Sequence, residues 1–226
     1  MRIRFVVATL CLAASSARAQ QPFDSSAWSI SAAEWRVEPW RGRTALLLRD
    51  GAAWLRGSRF QNGTIEFDIA FNEVLGFPGI AFRAATHDDY ELFYLRENLS
   101  GQPHATQYTP VLHGLYAWQI YAGNPWEASA RWTFDRWMHV KLVVSGARAE
   151  LYVDGDTALQ VIPRLRGPEG VGEVGFVALP GGARFANLVV RPERGPNELW
   201  FAVSETFGGW AITADLPDRN GIAVSP

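Results

Sequence analysis

The chain has 226 residues, a formal charge of −2 and a mean hydropathy near zero, with ten tryptophans, thirteen phenylalanines and six tyrosines. It carries no long basic cluster, so a broad electrostatic grip on nucleic acid is excluded. Its four histidines are scattered without a zinc-type spacing, and its only cysteine is Cys11, so no disulfide, metal or cofactor is expected.

The first residues, MRIRFVVATLCLAASSARAQ, read as an export signal. Arg2 and Arg4 precede the apolar run Phe5–Ala14, and Ala17-Arg18-Ala19 is a small-x-small cleavage site. The run is too short to span a bilayer. Leu10 precedes Cys11, which does not suit lipoprotein processing. Residues 1–19 are therefore expected to be a signal peptide and the destination periplasmic or extracellular. Loss of Arg2, Arg4 and Arg18 would take the charge from −2 to −5.

Roughly 205 residues remain, enough for one domain with a full core. Helical periodicity is nearly absent, and short alternating runs recur between Gly- and Pro-rich turns. In chain order, strands are expected at Trp35–Glu38, Ala45–Leu48, Ala53–Leu55, Thr64–Phe71, Gly79–Arg83 and Tyr90–Arg96. Ala105–Tyr108 and Ala117–Tyr121 follow, then the short connection Trp126–Ser129. His139–Val144 and Ala149–Val153 flank SGAR as a hairpin. Leu159–Ile162, Glu173–Ala178 and Ala183–Val190 complete the set. PERGP at Pro192–Pro196 breaks the pattern. The aromatic tail beyond it, 192–226, reads as an extension packed on the domain.

Several constellations carry chemical interest. Glu66 and Asp68 share one face of a strand, where paired carboxylates suit glycoside hydrolysis. A third acid two positions on is replaced by Ala70, so a solvated outer-face pair is the stronger reading. Arg83, Glu91, Tyr94 and Arg96 lie on two strands expected to pair. Their guanidinium forks match carboxylates or vicinal hydroxyls, and a structural Arg–Glu pair is the alternative. Gln107 and Tyr108, with Trp118, Gln119 and Tyr121, form a second polar-aromatic cluster. Amides there suit sugar hydroxyls and rings suit sugar faces. The ligand-contact set is thus Arg83, Glu91, Tyr94, Arg96, Gln107, Tyr108, Gln119 and Tyr121. Asp154 and Asp156 read as turn residues, since DGD alone offers too few oxygens for calcium. His87, Asp88 and Asp89 read as a solvated turn. Neither Ser145 nor Ser204 stands in a nucleophile elbow, and PEGVGEVG lacks the Lys-Ser/Thr of a phosphate loop.

The motifs FQNGTIEFDIAF, GFPGIAFRA, YELFYLR, TQYTP, WQIY, WMHVKLVV, AELYVDG, GVGEVGF and ARFANLVV occur in that order. Together they resemble the concanavalin A-like lectin/glucanase superfamily, with a closer likeness to laminin-G-like modules and the 3-keto-disaccharide hydrolase group. The likeness covers about Phe23–Arg191. It implies an all-β fold, a two-sheet antiparallel jelly-roll sandwich over 20–191 with a concave face for a glycan. The superfamily includes lectins, glucanases, lyases and modules without activity, so fold does not fix function. In its glucanase branch a strand motif of the E-x-D-x-E or E-x-D-x-x-E type carries catalysis. Glu66-Phe67-Asp68 matches only the start of that motif.

Three functions follow as expectations. The first is a carbohydrate-binding domain for an oligosaccharide or polysaccharide; an anionic one, such as a uronic acid glycan, would suit Arg83 and Arg96. The second is a glycan-active hydrolase or lyase drawing its acid or base from Glu66, Asp68, Glu91 or Tyr94. The third is a structural or protein-interaction module. The direction in which the Arg83, Tyr94, Arg96, Gln107 and Gln119 side chains point separates them.

Overall fold

The computed structural model describes Phe23 and residues 26–193. The expected signal peptide, 1–19, and nearly all of the expected C-terminal extension lie outside the described residues.

Twelve strands form: β1 Trp28–Trp40, β2 Arg43–Phe60, β3 Gly63–Ala70, β4 Phe77–Thr86, β5 Asp89–Leu95, β6 Thr106–Leu112, β7 Leu115–Tyr116, β8 Glu127–Ala128, β9 Met138–Ser145, β10 Arg148–Val153, β11 Gln160–Ile162 and β12 Gly172–Pro192. The only helical element among the described residues is a short 3-10 turn over Glu97–Leu99. The β9–β10 hairpin forms as expected, turning through Gly146 at φ +56° between the paired residues Ser145 and Arg148.

The expected pair of separate sheets does not form. All twelve strands belong to one antiparallel sheet that curls into a half-barrel. The physical reason lies in two long strands that were expected as four short ones. β2 and β12 pair along most of their lengths, with β1 on the far side of β2. Along its other edge, β12 bonds to β4 through Glu173–Leu179 and to β3 through Arg184–Pro192. The hand-over falls at Gly181, φ +79°, opposite a left-handed Asp50 (φ +47°) in β2, with a register shift between Ala178 and Gly182. Bulges bend a strand without ending its ladder. Hydrogen bonding therefore continues around the corner where a two-sheet fold would break it.

Two branches leave β12, one running β4–β5–β6–β7 with β8 on β6, the other β3–β9–β10–β11. Their inner faces enclose the main core. Ile80, Phe82, Phe93, Leu95 and Tyr108 of the first branch join Ile65, Phe67, Ile69, Val140, Leu142 and Leu151 of the second. Trp28, Phe176 and Phe185 pack at its centre, with Phe176 and Phe185 stacked at 4.3 Å. Alternation along β5 sends Phe93 and Leu95 inward and Tyr90, Leu92 and Tyr94 to the opposite face. There a second apolar cluster forms with Trp54, Ala81, Val111 and Val177.

Ala117–Tyr121, expected as a strand, is a turn in which the amides of Ile120 and Tyr121 both bond back to the Ala117 carbonyl. This turn brings Trp118 over the second face.

Candidate functional site

The outward face of the β4–β5–β6 branch holds a cavity of about 430 Å³. Its bed is Phe77 of β4, Leu92 and Tyr94 of β5, and Leu179 of β12. Leu75 from the β3–β4 loop forms one wall. Arg96, Asn98 and Leu99 form its end, and Tyr116 and Trp118 form the other wall. The Phe77 and Tyr94 rings meet edge to face at 5.8 Å. Tyr116 shares a 2.9 Å hydroxyl–hydroxyl hydrogen bond with Tyr90, and burial raises the pKa of both phenols.

Beneath this surface lies a saturated polar network. Gln107 faces Tyr94 across the β5–β6 ladder, so both side chains share one face. The Gln107 amide oxygen accepts from the Tyr94 hydroxyl and from Nη2 of Arg96. Its amide nitrogen donates to the Trp118 carbonyl at 2.8 Å and to the Tyr121 carbonyl. Arg96 Nη1 donates to the His104 carbonyl at 2.9 Å and to Glu127 at 2.7 Å. The second Glu127 oxygen accepts from the Gly123 amide, and its hydrogen bonds hold the Glu127 carboxyl below the usual range against a desolvation that pushes the other way. Both ends of the buried Gln107 side chain are thus committed, the oxygen to Tyr94 and Arg96 and the nitrogen to pinning the 117–121 turn. It places Trp118 rather than facing a ligand.

The eight residues expected to touch a ligand divide three ways. Tyr94, Arg96 and Gln107 converge at the cavity, with Tyr94 and Arg96 lining it and Gln107 beneath. Arg83, Glu91 and Tyr108 do not join them. Arg83 occupies a bulge at φ +52° and is buried. It donates to the Gln61 carbonyl (2.6 Å), Asn62 Oδ1 (2.9 Å) and the Gly146 carbonyl (2.6 Å), tying two turns together. Glu91 shares the inward parity of Phe93. It accepts from the Tyr108 hydroxyl at 2.6 Å and the Gly167 amide at 3.0 Å, and burial pushes its carboxyl up to about 7. Gln119 is exposed in the turn. The Tyr121 ring packs edge-on against Tyr108 and Trp126, so only its backbone carbonyl serves the network.

Glu66 and Asp68 lie on the outward face of the other branch, engaged as ions. Glu66 pairs with Arg191 at 2.7 Å and Asp68 with Arg43 at 2.7 Å, and Asp68 is also in hydrogen-bond contact with His139 Nδ1 at 3.0 Å. Asn187 also donates to Asp68.

Sequence reasoning placed Trp118 in the second polar-aromatic cluster without counting it among the ligand contacts, and it missed Tyr116, Phe77 and the leucines around them. Their signal was present only as apolar residues in turn-rich segments, of which Trp118 (46 % exposed) and Leu75 (58 % exposed) gather at one cavity. A further feature beside the cavity is Glu97. It is fully buried, neither carboxyl oxygen has a hydrogen-bond partner, and burial raises it to about 8 despite the nearby Arg49.

No protein-family model matches this chain, and no curated protein matches it. Solved structures do. A carbohydrate binding module, CBM66, from Bacillus subtilis aligns with a TM-score of 0.57 at 15 % identity, over 72 % of this chain and 93 % of that one. A Bacillus licheniformis β-glucanase aligns at 0.51 and 11 % identity, over 76 % and 95 %. A Bacillus subtilis protein of unknown function with a galectin-like fold aligns at 0.51 and 11 %, over 73 % and 88 %. At these identities the likeness shows the fold alone. That fold is of the β-sandwich type, here built by curling one continuous sheet.

Proposed function

We propose that the protein is an exported carbohydrate-binding domain whose ligand seats in the cavity of the β4–β5–β6 face. The observation that carries this reading is the convergence of Tyr94, Tyr116 and Trp118 around one cavity, above a scaffold whose polar groups are already satisfied. Flat, partly exposed aromatic rings suit the apolar faces of sugar rings, and rigid aromatic contacts lose little conformational entropy on binding. The volume lies in the range of ligand pockets. The fold relatives include a carbohydrate binding module and a glucanase, which supports the ligand class without assigning it.

Binding is favoured over glycoside hydrolysis by the same lining. Hydrolysis with two carboxylates needs both flanking the scissile bond. None lines this cavity, Glu66 and Asp68 face elsewhere in ion pairs, and Glu91 is inside the core. The test is a glycan array probed with the full chain, followed by product analysis on every sugar retained. Retention without turnover fits the proposal. Turnover of a retained sugar replaces it with an enzyme, and no retention on any glycan removes it.

A further inference from the structure

The cavity that the proposed function assigns to a glycan is short of what a bare sugar needs. A sugar ring brings hydroxyls all round its edge. A buried hydroxyl left without a partner costs roughly the whole value of a good contact. Six of the lining side chains, Leu75, Phe77, Leu92, Leu99, Leu179 and Trp118, offer apolar surface to a ligand. The polar ones are largely committed. Tyr94 donates to Gln107, Tyr116 is engaged with Tyr90, and the Arg96 guanidinium is shared among Glu127, Gln107 and the His104 carbonyl.

Charge points the same way. Arg96 is the one ionised residue in the lining, and its charge is balanced at 2.7 Å by Glu127 in a largely buried pair. An anionic ligand group would have to displace Glu127, which would then be left without its cation. That exchange is costly for buried ions. The uronic acid that arginines at this position suggested from sequence alone is therefore disfavoured. A neutral, apolar group matches the cavity in both charge and hydrogen bonding. Asn98, exposed at the end of the cavity, provides an uncommitted amide where the apolar floor gives way to solvent.

Resting on the proposed glycan reading, we infer that the ligand is a neutral glycan carrying an apolar substituent, an aryl aglycone or an acyl ester. The substituent fills the space between Leu75, Phe77, Leu179 and Trp118, and the sugar lies outward over Tyr116 and Asn98. Recognition then depends more on the substituent than on the sugar.

The experiment is calorimetric titration of the full chain with matched methyl and phenyl β-glycosides of glucose, galactose and mannose, with phenol as control. Covering roughly 100 Å² of ring corresponds to roughly 50-fold in affinity. The phenyl glycosides are therefore expected to bind well over 10-fold tighter than their methyl partners. That preference is expected to vanish in Trp118→Ala and in Leu75→Asn, both at exposed positions that folding tolerates. Equal binding of methyl and phenyl partners overturns the inference while leaving carbohydrate binding intact. Phenol binding as tightly as the phenyl glycosides overturns the glycan reading itself, as does a lack of binding by every probe.

Discussion

Replacing Glu97 with glutamine is expected to change how stability depends on pH. Its carboxyl is fully buried between Gly76, whose carbonyl accepts from the Glu97 amide, and Gly181. Neither oxygen has a hydrogen-bond partner, and desolvation raises its pKa from 4.5 to about 8. An unfolded chain loses this proton near 4.5, whereas the folded one keeps it until about 8. Between those values unfolding releases a proton, so stability is full below pH 4.5 and declines as pH rises towards 8. Across the whole window the loss amounts to roughly 4–5 kcal/mol, a large part of a domain's total stability. Glutamine has the same shape and no titration. It brings buried amide hydrogens that cost about 1–3 kcal/mol at every pH, so the informative quantity is the change in the variant-minus-wild-type difference. Urea unfolding of both proteins at pH 5, 6, 7 and 8 is expected to show the difference moving in favour of Glu97→Gln by roughly 3–5 kcal/mol. Glu91, raised to about 7 by burial, adds a decline of the same sign common to both proteins. Parallel stability curves would refute the claim that Glu97 is a buried neutral acid.

Other substitutions separate scaffold from site. Gln107→Leu removes the partner of Tyr94, Arg96 and two turn carbonyls at once, and is expected to cost roughly 2–4 kcal/mol in urea unfolding and to abolish ligand binding. Arg83→Met removes the donor to the Gln61 and Gly146 carbonyls and one of the two donors to Asn62 Oδ1, which keeps the Gly146 amide, and is expected to cost a similar roughly 2–4 kcal/mol while ligand affinity in the surviving folded protein stays unchanged. Gly181→Ala forces a side chain into a left-handed position where its Cβ would lie 2.6 Å from the Leu75 carbonyl oxygen. A fall in stability of about 1–3 kcal/mol is expected, read as a lower melting temperature.

Much of the strand content was legible because period-two alternation is strong in β3, β5, β9 and β10. Glu91 and Tyr94 were grouped as ligand contacts, yet the parity of β5 parts them, since Glu91 is two residues from the inward Phe93 and Tyr94 is one. Likewise Gln107 and Tyr108, adjacent on β6, were bound to part. What alternation could not convey was continuity. Asp50 and Gly181 interrupt the pattern locally, so β2 and β12 read as four strands, and a one-sheet fold read as two sheets. Arg83 stands in a bulge, where parity is lost and its direction is set by the Gln61, Asn62 and Gly146 acceptors. The 117–121 turn was hidden because its conformation is held by a side chain from β6, a contact distant enough in sequence to leave no local trace.

Trp118 is the residue on which glycan binding at this cavity most directly depends. It reaches the cavity from a turn whose fold does not depend on its indole, so its removal tests binding apart from stability. Titration of any array-identified glycan into the full chain and into Trp118→Ala is expected to show a loss of affinity of about 10-fold or more with an unchanged melting temperature. Equal affinities for the two proteins would contradict the assignment of this cavity as the glycan site.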